Sequence, residues 1–255
     1  MPDQRKQAFR KIARQASGEY VPELIRNLKQ SCRRIFPGLF LPSDHKNRKD
    51  YWEKEWSQPG YSPRWLGRGV SKEIIAAVEE GWFPAGARSL DIGCGKGDVD
   101  FWLVERGFIA DGIDISATVI EQVRAAYLDT KKHLRFMVLD ICFQKPSGGP
   151  YSVLIDRGCL HQIPQHLYSN YIENVTAVSS PDARMLLFIK AYRGQLQFGD
   201  AAERAKQIQR IENIFKGVFT LERSADTYLD PFDGTRPDHI LPGMVFWLRR
   251  NQSSS

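Results

Sequence analysis

A glycine-rich turn stands directly behind a short apolar run in the segment SLDIGCGKGDVDFW, residues 89–102. Gly93, Gly95 and Gly97 alternate with other residues there, and glycine lets backbone N–H groups approach a ligand closely. A P-loop does not fit, because it needs a hydroxyl residue after its lysine and Lys96 is followed by Gly97. The dinucleotide fingerprint G-x-G-x-x-G is one residue longer than this spacing. The spacing alone leaves open a pyrophosphate or a ligand that has no phosphate.

The turn lies within a regular alternation of strands and helices. Apolar periodicity predicts strands over residues 88–92, 108–114, 134–140, 151–156 and 184–190, with helices over 98–107, 116–127, 164–178 and 201–216. Two strands without a helix between them follow, over 218–229 and 243–250. We therefore expect an α/β fold: a doubly wound, mostly parallel seven-stranded sheet with helices on both faces and an antiparallel pair at its C-terminal edge.

The basic charge of the chain is confined to its N-terminal end. Residues 1–48 carry 11 Lys and Arg against 4 Asp and Glu, a balance of +7, so residues 49–255 carry −1 of the net +6. This division predicts a basic helical arm over 1–48, with an amphipathic helix over 20–36, and one domain over 49–255. The nearly neutral body argues against a nucleic-acid surface on that domain.

Composition and cysteine usage predict a cytoplasmic protein. An apolar content of 42% is ordinary for a globular chain, and neither a membrane-spanning run nor an apolar signal core is visible. The four cysteines match neither a disulfide framework nor a zinc spacing, so we expect a reducing compartment and no metal site.

The turn resembles the first motif of the class I S-adenosylmethionine-dependent methyltransferases. That motif reads acidic-x-G-x-G-x-G, and Asp91, Gly93, Gly95 and Gly97 match it throughout. The resemblance implies S-adenosylmethionine as the cofactor and S-adenosylhomocysteine as the product. It also implies that the acidic residue of the turn, Asp91, receives the amino group of the cofactor.

The same resemblance assigns cofactor contacts to later strand ends. Asp114 is expected to accept bonds from both ribose hydroxyls, and Asp140 to meet the adenine amine, with Ile115 and Ile141 beside them. Asp156 is expected to face the same crevice, because ligands bind beyond the carboxyl ends of parallel strands. Each aspartate alone is a common turn residue, but their recurrence at successive strand ends favours a shared site.

The segment YWEKEWSQPGYSPRWLGRG, residues 51–69, narrows the resemblance. It is similar to the lead-in of the thiopurine, thiol and tellurite-type small-molecule methyltransferases, in which this segment folds over the cofactor. Trp65 is the candidate for cation–π contact with the sulfonium, whereas Trp52 and Trp56 serve equally well to pin the segment to the core. Thiopurine is not transferred as the substrate, because true thiopurine enzymes carry a degenerate first motif.

The acceptor side is expected after the fourth and fifth strands. His161 is the candidate general base, and Arg157 and Tyr192 complete the predicted catalytic set. Together with Lys190 and Arg193 these residues would suit a small, anionic acceptor, although each cation could equally be a solvated rim charge. The stretch 229–243, with Arg236 and His239, is a candidate lid.

Several alternatives stay open at this stage. Cys94, Cys142 and Cys159 fall near strand ends and could serve a metalloid or thiol methyltransferase. The basic arm could guide a nucleic-acid-modifying enzyme, cap the active site, hold an acidic partner or contact a membrane surface peripherally. The intact glycine set speaks against a non-catalytic binding module. A monomer or homodimer is expected.

Overall fold

The computed structural model describes residues 45–61, 69–127, 133–190, 200–229 and 242–252. Seven strands are found there: β1 Arg88–Ile92, β2 Ile109–Asp114, β3 Leu134–Val138, β4 Tyr151–Arg157, β5 Ser179–Lys190, β6 Phe219–Tyr228 and β7 Pro242–Arg250. The helices are α1 His45–Trp56, α2 Lys72–Glu79, α3 Asp98–Val104, α4 Ala117–Ala126, α5 Tyr168–Val178 and α6 Ala201–Phe215. Two short 3₁₀ turns, Leu160–Gln162 and Gln165–Leu167, precede α5.

The strands form one mixed sheet in the order β3-β2-β1-β4-β5-β7-β6. Strands β1 to β5 run parallel to one another. Strand β7 runs antiparallel to both of its neighbours, β5 and β6. The order in which strands are added to the sheet reverses between β1 and β4. In such sheets a ligand binds in the crevice beyond the carboxyl ends of the two strands at this point. The predicted fold class, including the antiparallel edge, is confirmed.

Successive residues of the central strands bury into opposite faces of the sheet. Leu154 of β4 packs with α5 and α6 on one face, whereas its neighbours Val153 and Ile155 pack with α2 and α3 on the other. Strand residues alternate in this way because their side chains point to opposite sides of the pleat. Both faces are covered, so the buried positions of the central strands are mostly apolar, as is usual in a parallel sheet.

Several predicted boundaries differ from the structure, most clearly those of β5 and α5. Strand β5 begins at Ser179 rather than at 184, because Ser179 pairs with Tyr151 before a register shift carries the pairing to Val153 and Arg184. The helix predicted over 164–178 is regular only from Tyr168, and Gln165–Leu167 before it forms a 3₁₀ turn. The helix predicted over 20–36 lies outside the described residues, as does the arm up to residue 44.

Helix α1 crosses the predicted boundary at residue 48 and packs on the domain. The Glu53 carboxylate accepts hydrogen bonds from Ala117 N at 2.6 Å, Thr118 N at 3.2 Å and Ser116 Oγ at 3.0 Å. Burial acts to raise the pKa of Glu53, but these hydrogen bonds together lower it below its ordinary value. An acidic group at a helix N-terminus is stabilised by the unpaired amides and the helix dipole. Glu53 therefore fastens α1 to the start of α4.

No helix in the described ranges is both long and apolar enough to cross a bilayer.

Replacing Glu53 with Ala is expected to lower the free energy of unfolding by about 1–3 kcal/mol, since it leaves the first amides of α4 without their acceptor. Urea denaturation of the full chain measures this. Lys54→Ala, at an exposed position of the same helix, is the control and should change stability by less than about 0.5 kcal/mol. Equal losses in the two variants would contradict the capping role.

Candidate active site

The turn after β1 is held in a left-handed backbone conformation at its three glycines. The φ angles of Gly93, Gly95 and Gly97 are +79°, +52° and +73°. The amides of Gly93 and Cys94 both donate to the carbonyl of Ile113, at 2.8 and 2.9 Å. The turn is therefore tied to the end of β2, and glycine is the residue type that adopts these angles without strain.

Each glycine of the turn also lies against a different element. A Cβ atom at Gly93 would come 3.0 Å from Cys159 Cβ, one at Gly95 3.6 Å from the Trp56 ring, and one at Gly97 2.5 Å from Phe136. Trp56 is buried and its ring meets that of Tyr61 edge-to-face, with centroids 5.2 Å apart. These contacts favour the interpretation of Trp56 as a residue that pins α1 to the turn.

Asp114 at the end of β2 joins the turn to α4. Its Oδ2 accepts from Gly95 N at 3.2 Å, and its Oδ1 accepts from Ser116 N at 2.9 Å. Burial raises the pKa of Asp114 to about 6, although the two amides oppose the shift. A carboxylate has about four acceptor positions, and the amides of Gly95, Ser116 and Ile115 do not fill all of them. This geometry suits the pair of ribose hydroxyls expected from the sequence.

Asp140 forms a buried ion pair with a residue that sequence analysis missed. Its Oδ2 lies 2.6 Å from the Arg48 guanidinium of α1, and its Oδ1 accepts from Cys142 N at 2.9 Å. Both side chains are nearly inaccessible to solvent. The Arg48 cation also lowers the pKa of the nearby Cys159 thiol, against the larger effect of burial. Arg48 thus reaches from α1 into the region between β3 and β4.

Asp91 is buried at the end of β1, below the glycine turn. Burial raises its pKa to about 7; a hydrogen bond with Asp100 opposes the rise, and the negative charges of Asp156 and Asp114 add to it. A carboxyl group in this setting exchanges its proton near neutral pH. The role of Asp91 as the partner of the cofactor amino group stays a prediction.

Asp156 is fully buried and organises the loop after β4. Its Oδ1 accepts from the amides of Gly158, Cys159 and Leu160, at 3.1, 2.7 and 3.2 Å. Its Oδ2 accepts from Leu160 N at 3.0 Å and from the Tyr171 hydroxyl at 2.7 Å. The acceptor capacity of the carboxylate is used within the protein. This geometry favours a supporting role over the direct cofactor contact predicted from the sequence.

His161 lies beside the end of β5. Its Nδ1 accepts from Lys190 N at 3.3 Å, which assigns the ring proton to Nε2 when the imidazole is neutral. Burial lowers the pKa of His161 to about 3, and the positive charges of Lys190 and Arg210 add to this shift. An imidazole in this state is a weak base and a hydrogen-bond donor through Nε2. The general-base role stays a prediction, and the geometry gives a donor role more support.

The remaining predicted residues divide into three groups. The Arg157 guanidinium donates to the Leu229 carbonyl and so ties the end of β4 to the end of β6. Ile141 is buried in the core and Ile115 is partly buried, each directly after its aspartate. The others lie outside the described residues: Trp65, Tyr192, Arg193, Arg236 and His239.

The three described cysteines are free thiols whose pKa values burial raises. The value for Cys142 rises to about 12, and those for Cys94 and Cys159 rise well above their ordinary range. Soft metalloids bind thiolates, so protonated thiols offer them little. In the described part of the chain, no group of three or more His, Cys, Asp or Glu side chains is arranged to hold a metal ion.

Comparison with known proteins identifies the domain. Residues 90–182 match the family model described as a methyltransferase domain. This segment contains the glycine turn and the strand ends that carry Asp91, Asp114, Asp140 and Asp156. This part of the chain is therefore similar to a methyltransferase domain.

Relatives of this methyltransferase domain are distant. The chain is 25% identical to 2-heptyl-1-hydroxyquinolin-4(1H)-one methyltransferase of Mycobacteroides abscessus over 56% of its own length. The chain spans 65% of that relative, which is under two thirds.

Solved structures share the fold of the methyltransferase domain. One, from work on the conversion of a disulfide bond into a thioacetal group during echinomycin biosynthesis, superposes with a TM-score of 0.64 at 18% identity, covering 81% of this chain and 94% of the other. The N-methyltransferase NodS of Bradyrhizobium japonicum, in complex with S-adenosylhomocysteine, superposes with a TM-score of 0.55 at 13% identity, covering 80% and 98%.

Gly97→Ala is expected to destabilise the fold by about 2–4 kcal/mol, because the methyl group overlaps Phe136 and a left-handed φ is strained for alanine. Gly107→Ala is the control: Gly107 has a φ of +84° but open space around its Cβ position, so it should cost about 1–2 kcal/mol. Thermal and urea unfolding measure both. If Gly107→Ala lowers the free energy of unfolding by as much as Gly97→Ala does, the overlap with Phe136 is not a source of the destabilisation.

A pH-dependent loss of stability is expected from His161. Its folded-state pKa of about 3 lies below the unfolded value, so the unfolded chain binds the proton and stability falls as the pH drops from 7 to 5. The His161→Gln variant should lack this component, about 2 kcal/mol at pH 5. Urea unfolding at both pH values measures it, with exposed His166→Gln as the control. If His161→Gln and the wild type lose the same stability, His161 is not buried in neutral form.

Proposed function

We propose that the protein transfers a methyl group from S-adenosylmethionine to an oxygen, sulfur or nitrogen atom of a small molecule. The observation that carries the proposal is Asp114, whose carboxylate lies beside the glycine turn and accepts from the amides of Gly95 and Ser116. A carboxylate at this place is an acceptor for the ribose hydroxyls of the cofactor. The methyltransferase match over residues 90–182 supports the same reaction.

The residues around the turn fit this cofactor. A side chain at Gly93 or Gly97 would crowd its neighbours, and a left-handed φ disfavours one at Gly95, so the backbone itself forms the wall of the crevice. Asp91 would receive the amino group, Asp114 the ribose hydroxyls and Asp140 the adenine amine. Asp140 would do so while its Oδ2 is paired with Arg48 and its Oδ1 accepts from Cys142 N.

The chemistry of the bound cofactor is that of a methyl carbon activated by a positively charged sulfur. The contribution of the protein is alignment and exclusion of water, since an in-line displacement needs the two reacting atoms held in one geometry. Helix α1 supports both tasks, because Trp56 packs on Gly95 and Arg48 holds Asp140. Glu53 keeps that helix in place.

The acceptor pocket is assigned to the ends of β4 and β5. His161 and Lys190 contact each other there, since the imidazole Nδ1 accepts from the Lys190 amide. The ammonium of Lys190 adds positive charge, which suits an anionic or hydroxylated molecule. The relative from Mycobacteroides abscessus is named for a hydroxyquinolone, a small hydroxylated heteroaromatic compound. Tyr192 and Trp65 keep their predicted roles as proposals.

The other sequence-based alternatives gain no support from the described residues. The basic arm up to residue 44, on which both a nucleic-acid role and membrane contact depend, lies outside them. The metalloid alternative is weakened by the raised pKa values of the thiols. A cytoplasmic location and a monomeric or homodimeric state remain predictions.

Titration calorimetry with S-adenosylhomocysteine tests the cofactor site. Wild type is expected to bind, and Asp114→Ala to bind roughly a hundredfold more weakly, because two hydrogen bonds to a carboxylate are lost. Glu79→Ala, at an exposed position of α2, is the control and should match wild type. Absence of binding by folded wild type would overturn the proposed function.

Binding justifies an acceptor screen with radiolabelled S-adenosylmethionine. The panel should contain hydroxylated heteroaromatics, thiols and small carboxylates, with single-stranded RNA and DNA as the competing class. Transfer to a nucleic acid in preference to every small molecule would contradict the small-molecule proposal.

A further inference from the structure

Asp100, on the first turn of α3, is a buried carboxyl group that the proposed mechanism does not use. Its side chain is completely inaccessible to solvent. Neither carboxyl oxygen accepts an N–H or O–H hydrogen bond from a conventional donor in the part of the chain that the structure describes. An isolated buried carboxylate is strongly unfavourable, so the group needs either a proton or a partner.

The partner of Asp100 is the other buried carboxyl of this region, Asp91. The two side chains hydrogen-bond each other, and this bond lowers the pKa of Asp91 while raising that of Asp100. Two carboxyl groups can bond only if a proton lies between them. Asp100 therefore carries the proton and donates its O–H to Asp91, and the two titrate as a pair.

The charges around the pair are mostly negative. Those that bear on Asp91 and Asp100 belong to β2 and β4: Asp111, Asp114, Asp156 and Arg157. The Cys94 thiol of the turn also lies near, and the two carboxyl groups raise its pKa. Burial raises the pKa of Asp91 to about 7 and that of Asp100 well above its ordinary value. Arg157 is the cation among these groups, and it opposes the rise at Asp91.

We propose that an ammonium group bound at Asp91 expels a proton from this carboxyl pair to the solvent, and that Asp100 is a positioning residue that presents Asp91 as the carboxylate. The ammonium keeps its protons, the Asp91 O–H bond breaks, and the released proton leaves to buffer. Asp100 keeps its own proton and donates it in a hydrogen bond to the Asp91 oxygen. This inference rests on the proposed function, because the ammonium is that of the cofactor.

Proton release is measured by titration calorimetry with S-adenosylhomocysteine at pH 7, in phosphate and in Tris. The apparent binding enthalpies differ between the buffers by the number of protons released times the difference in buffer ionisation enthalpy. We expect wild type to release roughly half a proton at pH 7, and its affinity to be roughly tenfold weaker at pH 6 than at pH 8. Protonation of Asp114 also weakens binding near pH 6, and this smaller effect on the affinity is the same in all variants.

Substitutions at Asp100 separate positioning from mere packing. Asp100→Ala removes the donor, so Asp91 is more fully protonated; proton release at pH 7 should approach one, and the affinity ratio between pH 8 and pH 6 should grow to roughly fiftyfold. Asp100→Asn restores a donor through its amide and should return both values toward wild type. Asp98→Ala, on the same helical turn, is the control.

The outcomes are distinct. A uniform loss of affinity in Asp100→Ala with wild-type proton release would show a packing role and overturn the proposal. Binding by wild type without any buffer dependence would also overturn it, while leaving the proposed function intact. Failure of folded wild type to bind S-adenosylhomocysteine would overturn both.

Discussion

The crevice depends on how buried carboxyl groups are compensated at neighbouring strand ends. Asp91, Asp114 and Asp156 lie at the ends of β1, β2 and β4, and burial raises the pKa of each. Backbone amides of the turns compensate Asp114 and Asp156, whereas Asp91 is compensated by a proton shared with Asp100. Parallel strands that end at one edge of the sheet create the crevice and also bring these carboxyl groups close together. The loops that follow the strands therefore supply the N–H groups that stabilise them.

The division of labour among the aspartates follows from these donors. Asp156 uses its full acceptor capacity on the loop after β4 and on Tyr171, so it holds protein structure. Asp114 accepts from backbone amides alone, among them those of Gly95 and Ser116, and keeps acceptor capacity for a ligand. The four aspartates look equivalent in the sequence, since each follows a buried strand. Their roles separate only through the hydrogen bonds that each one makes.

Helix α1 belongs to the site as much as the strands do. Three of its residues act at different places: Arg48 on Asp140, Glu53 on the start of α4 and Trp56 on Gly95. Ion pairs buried to this extent are costly unless their geometry is good, so the Arg48–Asp140 pair constrains where the helix can lie. A segment expected from the sequence to be partly arm and partly lead-in is one continuous helix fixed at three points.

The sequence by itself determined the succession of strands and helices, the doubly wound fold class with its antiparallel edge, and the glycine turn with aspartates at successive strand ends. These follow from local periodicity, from glycine spacing and from the rule that parallel strands end at one edge of a sheet. Tertiary structure alone decided the contacts of Arg48, Glu53 and Asp100. Arg48 binds Asp140, 92 residues further along the chain, and Glu53 binds Ala117, 64 residues further along. Local sequence spacing cannot predict contacts over such separations. Asp100 is close to Asp91 in sequence, but only folding buries both and leaves them a shared proton, because desolvation is a property of the packed environment.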